Sequence, residues 1–462
     1  MHRTWAVAKQ MIREGIRMKI ALVFIVVLMI VLPILPFSVT GDGVTLKSRI
    51  QMFLSFSLSA VNFLLSMLTV FLACGALSNE IREKHVHLIA VKPIPRWQFV
   101  TGKWLGILIL NLGLLTGSGL IVYGFAQYLR TRPAVSEVDA DGVEQEVFTA
   151  RAGVRLRAPE DEVERALEGR IRQLQAEGRF AATGEDISDR FRAELRRELR
   201  VERLSVPPNR GYQVFLFKNL LVDRSPGNVL YIRYKGTAGI PKDYIWHLIW
   251  LAGDPTEPTN VVQFVRKDPS DRYSTVPIPA DCVNDEGILR LEIHNLDPAV
   301  PLVLEGTEGG MELLYGLGGF GWNLFRGLVL VAFRLMLLAA IGLLMSSFLS
   351  FPVACMASLL VFFVAISFGF LQTAMDFGAT DPGGIEPWGM IGPPVRALVA
   401  GFMWLVPNLS RFNPIPTIVD GRVVTLMWII YGFLELIVMR TLLFGFVACV
   451  IFTKRELARV IV

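Results

Sequence analysis

A chain of 462 residues that is 53% hydrophobic and 19% charged, with a mean hydropathy of +0.48, is too apolar for an average soluble globular protein, where charged residues run at about 25%. The formal charge of +5 is unevenly placed and reads as membrane topology, not as a nucleic-acid surface. Cys74, Cys355 and Cys449 fall in apolar runs and Cys282 stands alone in a polar stretch, which excludes a disulfide framework and any metal-type cysteine spacing.

Residues 1–19 carry Arg3, Lys9, Arg13, Arg17 and Lys19 against the single acid Glu14. Trp5, Ala8, Ile12, Ile16 and Ile20 recur at helical spacing, so an amphipathic helix in the interface on a basic, cytoplasmic flank is expected. Residues 20–37 form the first span. A secretory leader is the competing reading, and the length of the run and the lack of a small-residue cleavage pattern argue against it. Residues 51–79 hold no charge and form the second span, and residues 104–128, rich in glycine (Gly106, Gly113, Gly117, Gly119, Gly124), form a third suited to close helix packing.

Between the second and third spans lies SNEIREKHVHLIAVKPIPRWQFVTGK, residues 78–103. Charges at Glu80, Arg82, Glu83 and Lys84 alternate with Ile81, Val86, Leu88 and Ile89, a pattern for a short helix that Pro93 and Pro95 then break. It reads as a membrane protein's contact surface for a soluble partner. His85 and His87, beside this basic passage, read as surface residues rather than metal ligands.

Residues 130–319 follow a different grammar. Residues 160–178 and 186–204 are charged and periodic, with Val163, Leu167, Ile171 and Leu174 and then Ile187, Phe191, Leu195 and Leu199 on apolar stripes. Asp161 with Arg165 and Glu168 with Arg172 are spaced to support solvated helices. After Pro207-Pro208 come period-two segments (YQVFLF, NVLYIRYK, YIWHLIWL, VVQFV, ILRLEIHN, PLVLEG, MELLY), as expected of a β-sandwich. The order is loosely reminiscent of carbohydrate-binding jelly rolls. No motif supports a ligand, and a structural or partner-docking role is the preferred reading.

Residues 322–347 and 353–374 form two more spans around a tight turn at 346–352, and residues 376–422 an external connection in which 393–405 is apolar enough to dip into the bilayer. Residues 424–452 form the last span, before a basic tail with Lys454, Arg455 and Arg459. Arg334, Glu435 and Arg440 lie within spans, where ionisable groups face the bundle interior and find partners. They are either a polar seam along a transport path, with Glu435 facing Arg334 or Arg440, or simply an interhelical salt bridge, or Arg440 snorkelling to the cytoplasmic face. The sequence contains no G-x-x-x-x-G-K-[ST], H-E-x-x-H or G-x-S-x-G, so no phosphate loop or hydrolytic motif is present and no cofactor or metal is expected.

The order of Glu80, an apolar middle, Lys92-Pro93-Ile94-Pro95-Arg96-Trp97 and Gly102-Lys103 resembles the permease subunits of ABC-2 type transporters. So do the basic N-terminus, the six-span order and Pro407-Asn408-Leu409-Ser410-Arg411-Phe412 before the last span. One departure is Lys84-His85 where the family commonly shows Gly-Thr. The resemblance covers the two membrane portions and implies a transport subunit, not an enzyme, in the plasma (inner) membrane of a prokaryote with both termini cytoplasmic. Its implied partners are a separate ATP-binding cassette ATPase subunit, a second permease copy or sibling, and membrane lipids. It makes residues 78–103 a coupling segment, with Glu80, Glu83, Lys92, Pro93, Pro95, Arg96 and Lys103 as coupling residues. The expected fold is a polytopic α-helical membrane protein of six transmembrane helices, with a large extracytoplasmic α+β insertion between helices 3 and 4. Its parts are 1–129, 130–320 (helical 158–205, β-rich 210–316) and 321–462. The alternative is a non-transporting receptor or anchor that presents the insertion.

Overall fold

The structure is a computed structural model that describes residues 2–38, 45–82, 95–156, 160–177, 189–222, 224, 228–237, 244–254, 261–304, 310–380 and 407–454. Glu83, Lys92, Pro93, both histidines of the 83–94 passage, residues 393–405 and the tail beyond 454 lie outside the described residues. The chain divides into two compact units, Met1–Ala150 with Gly318–Val462, and Arg151–Leu317.

The first unit is helical. In chain order it contains α1 (His2–Arg17), α2 (Lys19–Ser38), α3 (Leu46–Arg82), α4 (Arg96–Arg130) and a short α5 (Glu137–Gly142) that continues as a π-helical turn, Val143–Val147. After the second unit it resumes with α8 (Phe320–Phe348), α9 (Phe351–Thr380), a short α10 (Ile415–Val419) and α11 (Leu426–Lys454). Five helices are long and apolar enough to cross a bilayer: α3 over Leu46–Ser78, α4, α8, α9 over Phe351–Phe370, and α11. A sixth is reached if α1 and α2, which meet at 65°, are taken as one bent span. Large apolar side chains such as Met29, Met356, Leu360, Phe370, Met427 and Phe446 are exposed on α2, α9 and α11. Contiguous apolar helix faces of this kind belong to a membrane-embedded helical protein.

At the centre of the unit α8 packs against α3, α4, α9 and α11. Close approach depends on small residues. Gly342 sits against Ala73 of α3, Gly119 of α4 against Leu328, and Gly432 of α11 against Leu330. Among the described residues, a Cβ on Gly113, Gly117 or Gly124 would meet nothing within 4 Å, whereas Gly106 and Gly119 are closely packed.

The α1 stripe divides between two surroundings. Val7, Ala8 and Met11 are buried against α4, while Trp5 and Ile16 stay more than half exposed. Gly102 and Gly106 explain this: a Cβ on Gly102 would lie 2.7 Å from Val7 Cβ, and one on Gly106 2.6 Å from Met11 Cβ. Glycine at i and i+4 lets α1 seat its small apolar face on α4, leaving the larger side chains for the surroundings.

The second unit has two helices, α6 (Glu160–Ala176) and α7 (Asp189–Arg203), and a two-sheet sandwich. Arg172 pairs with Glu168 as the spacing predicts, at 3.5 Å. Arg165 instead donates to the backbone carbonyl of Asp161 at 3.0 Å, and Arg196 joins the two helices through Glu164 at 3.0 Å. One sheet holds β1 (Thr149–Arg155), β2 (Ser205–Val206), β4 (Val229–Thr237), β7 (Tyr273–Pro279), β9 (Leu302–Leu304) and β10 (Met311–Gly319) in the order β1-β10-β4-β9-β2, with β7 also on β4. The other runs β3 (Tyr212–Phe217), β8 (Leu289–Asn295), β5 (Ile245–Ala252), β6 (Val262–Pro269). The alternation in ILRLEIHN is realised: Leu289, Leu291 and Ile293 are buried and Arg290, Glu292 and His294 half-buried on the other face. Trp246 and Trp250 fill the core, Trp250 meeting Tyr234 of the opposite sheet at 5.0 Å between ring centroids. Tyr234 donates to Asp268 at 2.6 Å, and Arg266 holds the same carboxylate at 2.8 Å. Burial and that neighbouring carboxylate together push the Tyr234 hydroxyl's pKa upward, so it stays protonated.

Candidate functional site

Residues 78–103 are described at both ends, and the two ends meet. α3 extends through Arg82, further than the apolar run alone suggests, and Pro95 is the N-cap of α4. Proline suits this place because its missing N–H leaves no helical bond unmade. Arg96 and Lys103 therefore belong to the first two turns of α4 rather than to a connecting loop.

Lys103 is fully buried and forms ion pairs with Glu80, at the end of α3, and with Glu14 of α1 at 2.9 Å. Glu80 is itself buried. The two carboxylates satisfy an ammonium that would otherwise be costly to take out of water, and removing one partner of such a pair costs about 3–5 kcal/mol. The ammonium also lies 5.6 Å from the Phe99 ring centroid, and Phe99 stacks on Phe452 of α11 at 6.0 Å. Arg96 donates to the carbonyls of Phe452 and Thr453 at 3.1 and 2.6 Å, placing a cation on the last carbonyls of α11. α1, α3, α4 and α11 are thus tied together where α3 ends and α4 begins. Glu80 and Lys103 serve this internal tie, and Arg96 does so through α11.

The charged groups within the spans separate into two. Arg440 donates to Glu435 at 3.1 Å, and Tyr431 donates to the second Glu435 oxygen at 3.1 Å. Residues 433–441 are π-helical, and the wider turn brings side chains five apart onto one face, as the Thr441 hydroxyl bonded to the Leu436 carbonyl also shows. Arg411 lies over the Tyr431 ring at 4.8 Å. Arg334, near the middle of α8, is not Glu435's partner. It is buried at 3% exposure, and its Nε and Nη1 have no acceptor among the described residues.

Sequence reasoning missed the opposite end of the unit, where small polar devices do the joining. Asp139, in the connection after α4, accepts from the backbone N–H groups of Leu46 (2.7 Å) and Lys47 (3.0 Å) and so caps α3 from outside its own helix. Burial pushes the Asp139 carboxyl up, but these bonds, a third from Val135 and the Lys47 charge outweigh it and hold the pKa below the ordinary carboxylate value. Asn323 of α8 donates to the Arg422 carbonyl and accepts from Val424 N–H, both at 2.7 Å. Gly421 has φ +63, and a Cβ there would overlap the Glu146 carbonyl. The Asp-Gly at 420–421 is the one turn signal that could have been read.

Among the described residues no group of three His, Cys, Asp or Glu side chains is placed to hold a metal ion. In the sandwich, His294 pairs with Glu292 at 2.8 Å and stacks on Tyr212 at 5.3 Å. No protein-family model matches the chain, and no curated protein sequence matches it.

Proposed function

We propose that this chain is the permease subunit of an ABC-2 type transporter, moving a substrate across the membrane with energy from a separate ATP-binding subunit. In this reading six helices span the inner membrane of a prokaryote, both termini are cytoplasmic, residues 130–320 are extracytoplasmic, and two permeases pair. Residues 83–94 contact the ATPase.

The observation that carries the proposal is the tie at Lys103. A segment that transmits a push must be fixed at both ends, or its own supports absorb the motion. Here the helix that enters the segment and the helix that leaves it are joined by the buried Glu80–Lys103 pair, and α1 and α11 are fastened to the same end. The chain carries no phosphate loop of its own, so the energy for such a push has to come from a partner.

The test is co-purification of the full chain with the P-loop ATPases of its source organism, with ATP hydrolysis as the second readout. Wild type is expected to retain one ATPase, and Glu83→Lys with Lys92→Glu to weaken that association at least tenfold while the chain still folds. If no nucleotide-binding subunit associates with the intact chain, the transport reading fails. A receptor or anchor that merely presents the sandwich then becomes the better account.

A further inference from the structure

Among the described residues, the middles of the apolar helices carry more positive than negative charge. The charged residues in the middle of the five apolar helices are Arg334, Glu435 and Arg440, two cations and one anion. Glu435 is engaged by Arg440 and by the Tyr431 hydroxyl. Arg334 has no acceptor or counter-ion among the described residues, although it is 3% exposed.

The neighbours at this level are identifiable. Gly432 packs on Leu330, and the Phe433 and Phe333 rings lie 5.8 Å apart, so Glu435 is on the adjacent helix close to the level of Arg334. On α3 and α4, Gly342 against Ala73 and Trp104 Nε1 bonded to the Met336 carbonyl fix the register. Eight residues before Ala73, that level of α3 holds Asn62, Leu65 and Ser66, and on α4 Asn111, which donates to Thr69 at 2.9 Å. The Oδ1 atoms of Asn62 and Asn111 are buried with no hydrogen-bond partner among the described residues, and neither amide carries charge. Residues 351–370 of α9 carry no charge. Along α8 itself Leu330, Val331, Leu337 and Leu338 are buried and apolar. A guanidinium with no counter-ion among the described residues is strongly disfavoured in such surroundings, and intramembrane charges of this kind mark ligand paths.

We propose that Arg334 is the binding residue for an oxyanion head group, phosphate or carboxylate, carried into the bundle on an amphiphile. The single cation supplies charge recognition for the head, and the apolar flank suits a hydrocarbon body. The assignment rests on the transporter reading for one point: the site is enclosed, and helix rearrangement is what admits the ligand.

The test uses the full chain in phosphatidylcholine nanodiscs, with thermal unfolding as readout and dodecyl phosphate, inorganic phosphate and dodecanol as probes. Wild type is expected to gain several degrees in Tm with dodecyl phosphate, saturably, and nothing with dodecanol. Arg334→Met is expected to fold with a Tm no lower than wild type, since an uncompensated buried charge has been removed, and to need at least tenfold more dodecyl phosphate for the same shift. Arg334→Lys keeps part of the response. A shift with inorganic phosphate alone identifies a free anion as the source. A shift on exchanging the disc lipid for phosphatidylglycerol identifies a lipid head group. Equal responses of wild type and Arg334→Met to every probe overturn the proposal. So does a marked Tm loss in Arg334→Met, which would reveal a structural partner. No ATPase is present, so this result and the co-purification fail or succeed independently.

Discussion

Lys103 is the residue on which the arrangement turns, because a fully buried ammonium has to be compensated and both of its partners come from other helices. Lys103→Met is expected to lower Tm sharply by leaving Glu80 buried without its cation, a loss of about 3–5 kcal/mol. Adding Glu80→Gln to that variant should restore part of the loss, and a double-mutant cycle should show a coupling of about 1–3 kcal/mol. Additive losses would mean that the two residues act separately. Asp139 gives a pH signature. Its folded pKa is depressed, so its contribution is complete above the unfolded carboxylate value and is lost as pH falls through the lower folded value. Asp139→Asn should therefore destabilise the protein at neutral pH and flatten the acid limb of a Tm-against-pH profile below about pH 4. An unchanged acid limb in the variant would remove Asp139 from the account.

Among the elements, α1 depends on two glycines. Gly106→Leu should lift α1 from α4, because a side chain there enters the space of Met11 and Ala8. The expected readout is new tryptic cleavage after Arg13 and Arg17 together with a lower Tm, and unchanged protection would argue against the packing. Gly421→Ala should destabilise by more than about 2 kcal/mol, since strain at positive φ adds to overlap with the Glu146 carbonyl. Most elements were legible from pattern. The long apolar runs became α3, α4, α8 and α9, and the alternating segments became strands, because lipid selects uninterrupted apolar length and a sheet face imposes a period of two. β1, β2 and β7 were not read. RAGVR and YSTVPIP alternate weakly, and β2 is two residues long, held by β9. Nor was the destination of the charges legible. Composition puts Glu80, Arg96 and Lys103 near a membrane surface, but only tertiary packing brings Glu14, Phe452 and Thr453 to them. That Arg334 meets no acceptor among the described residues was hidden for the same reason, since spacing within one helix says nothing about what the next helix offers.

At the scale of the molecule, a helical unit with five or six spans is combined with a sandwich that has its own core, and the account assigns them different tasks. The helical unit would couple and translocate; the sandwich is read as a docking or structural module. The central claim is that residues 83–94 touch an ATPase. Its most direct measurement places a photo-crosslinking amino acid at Glu83, in cells expressing the full chain, and identifies the adduct by mass spectrometry. The account predicts a protein containing G-x-x-x-x-G-K-[ST], and a parallel probe at Val265 on the sandwich that does not capture it. An adduct at Glu83 lacking any nucleotide-binding domain, or capture of the ATPase from Val265, would contradict it.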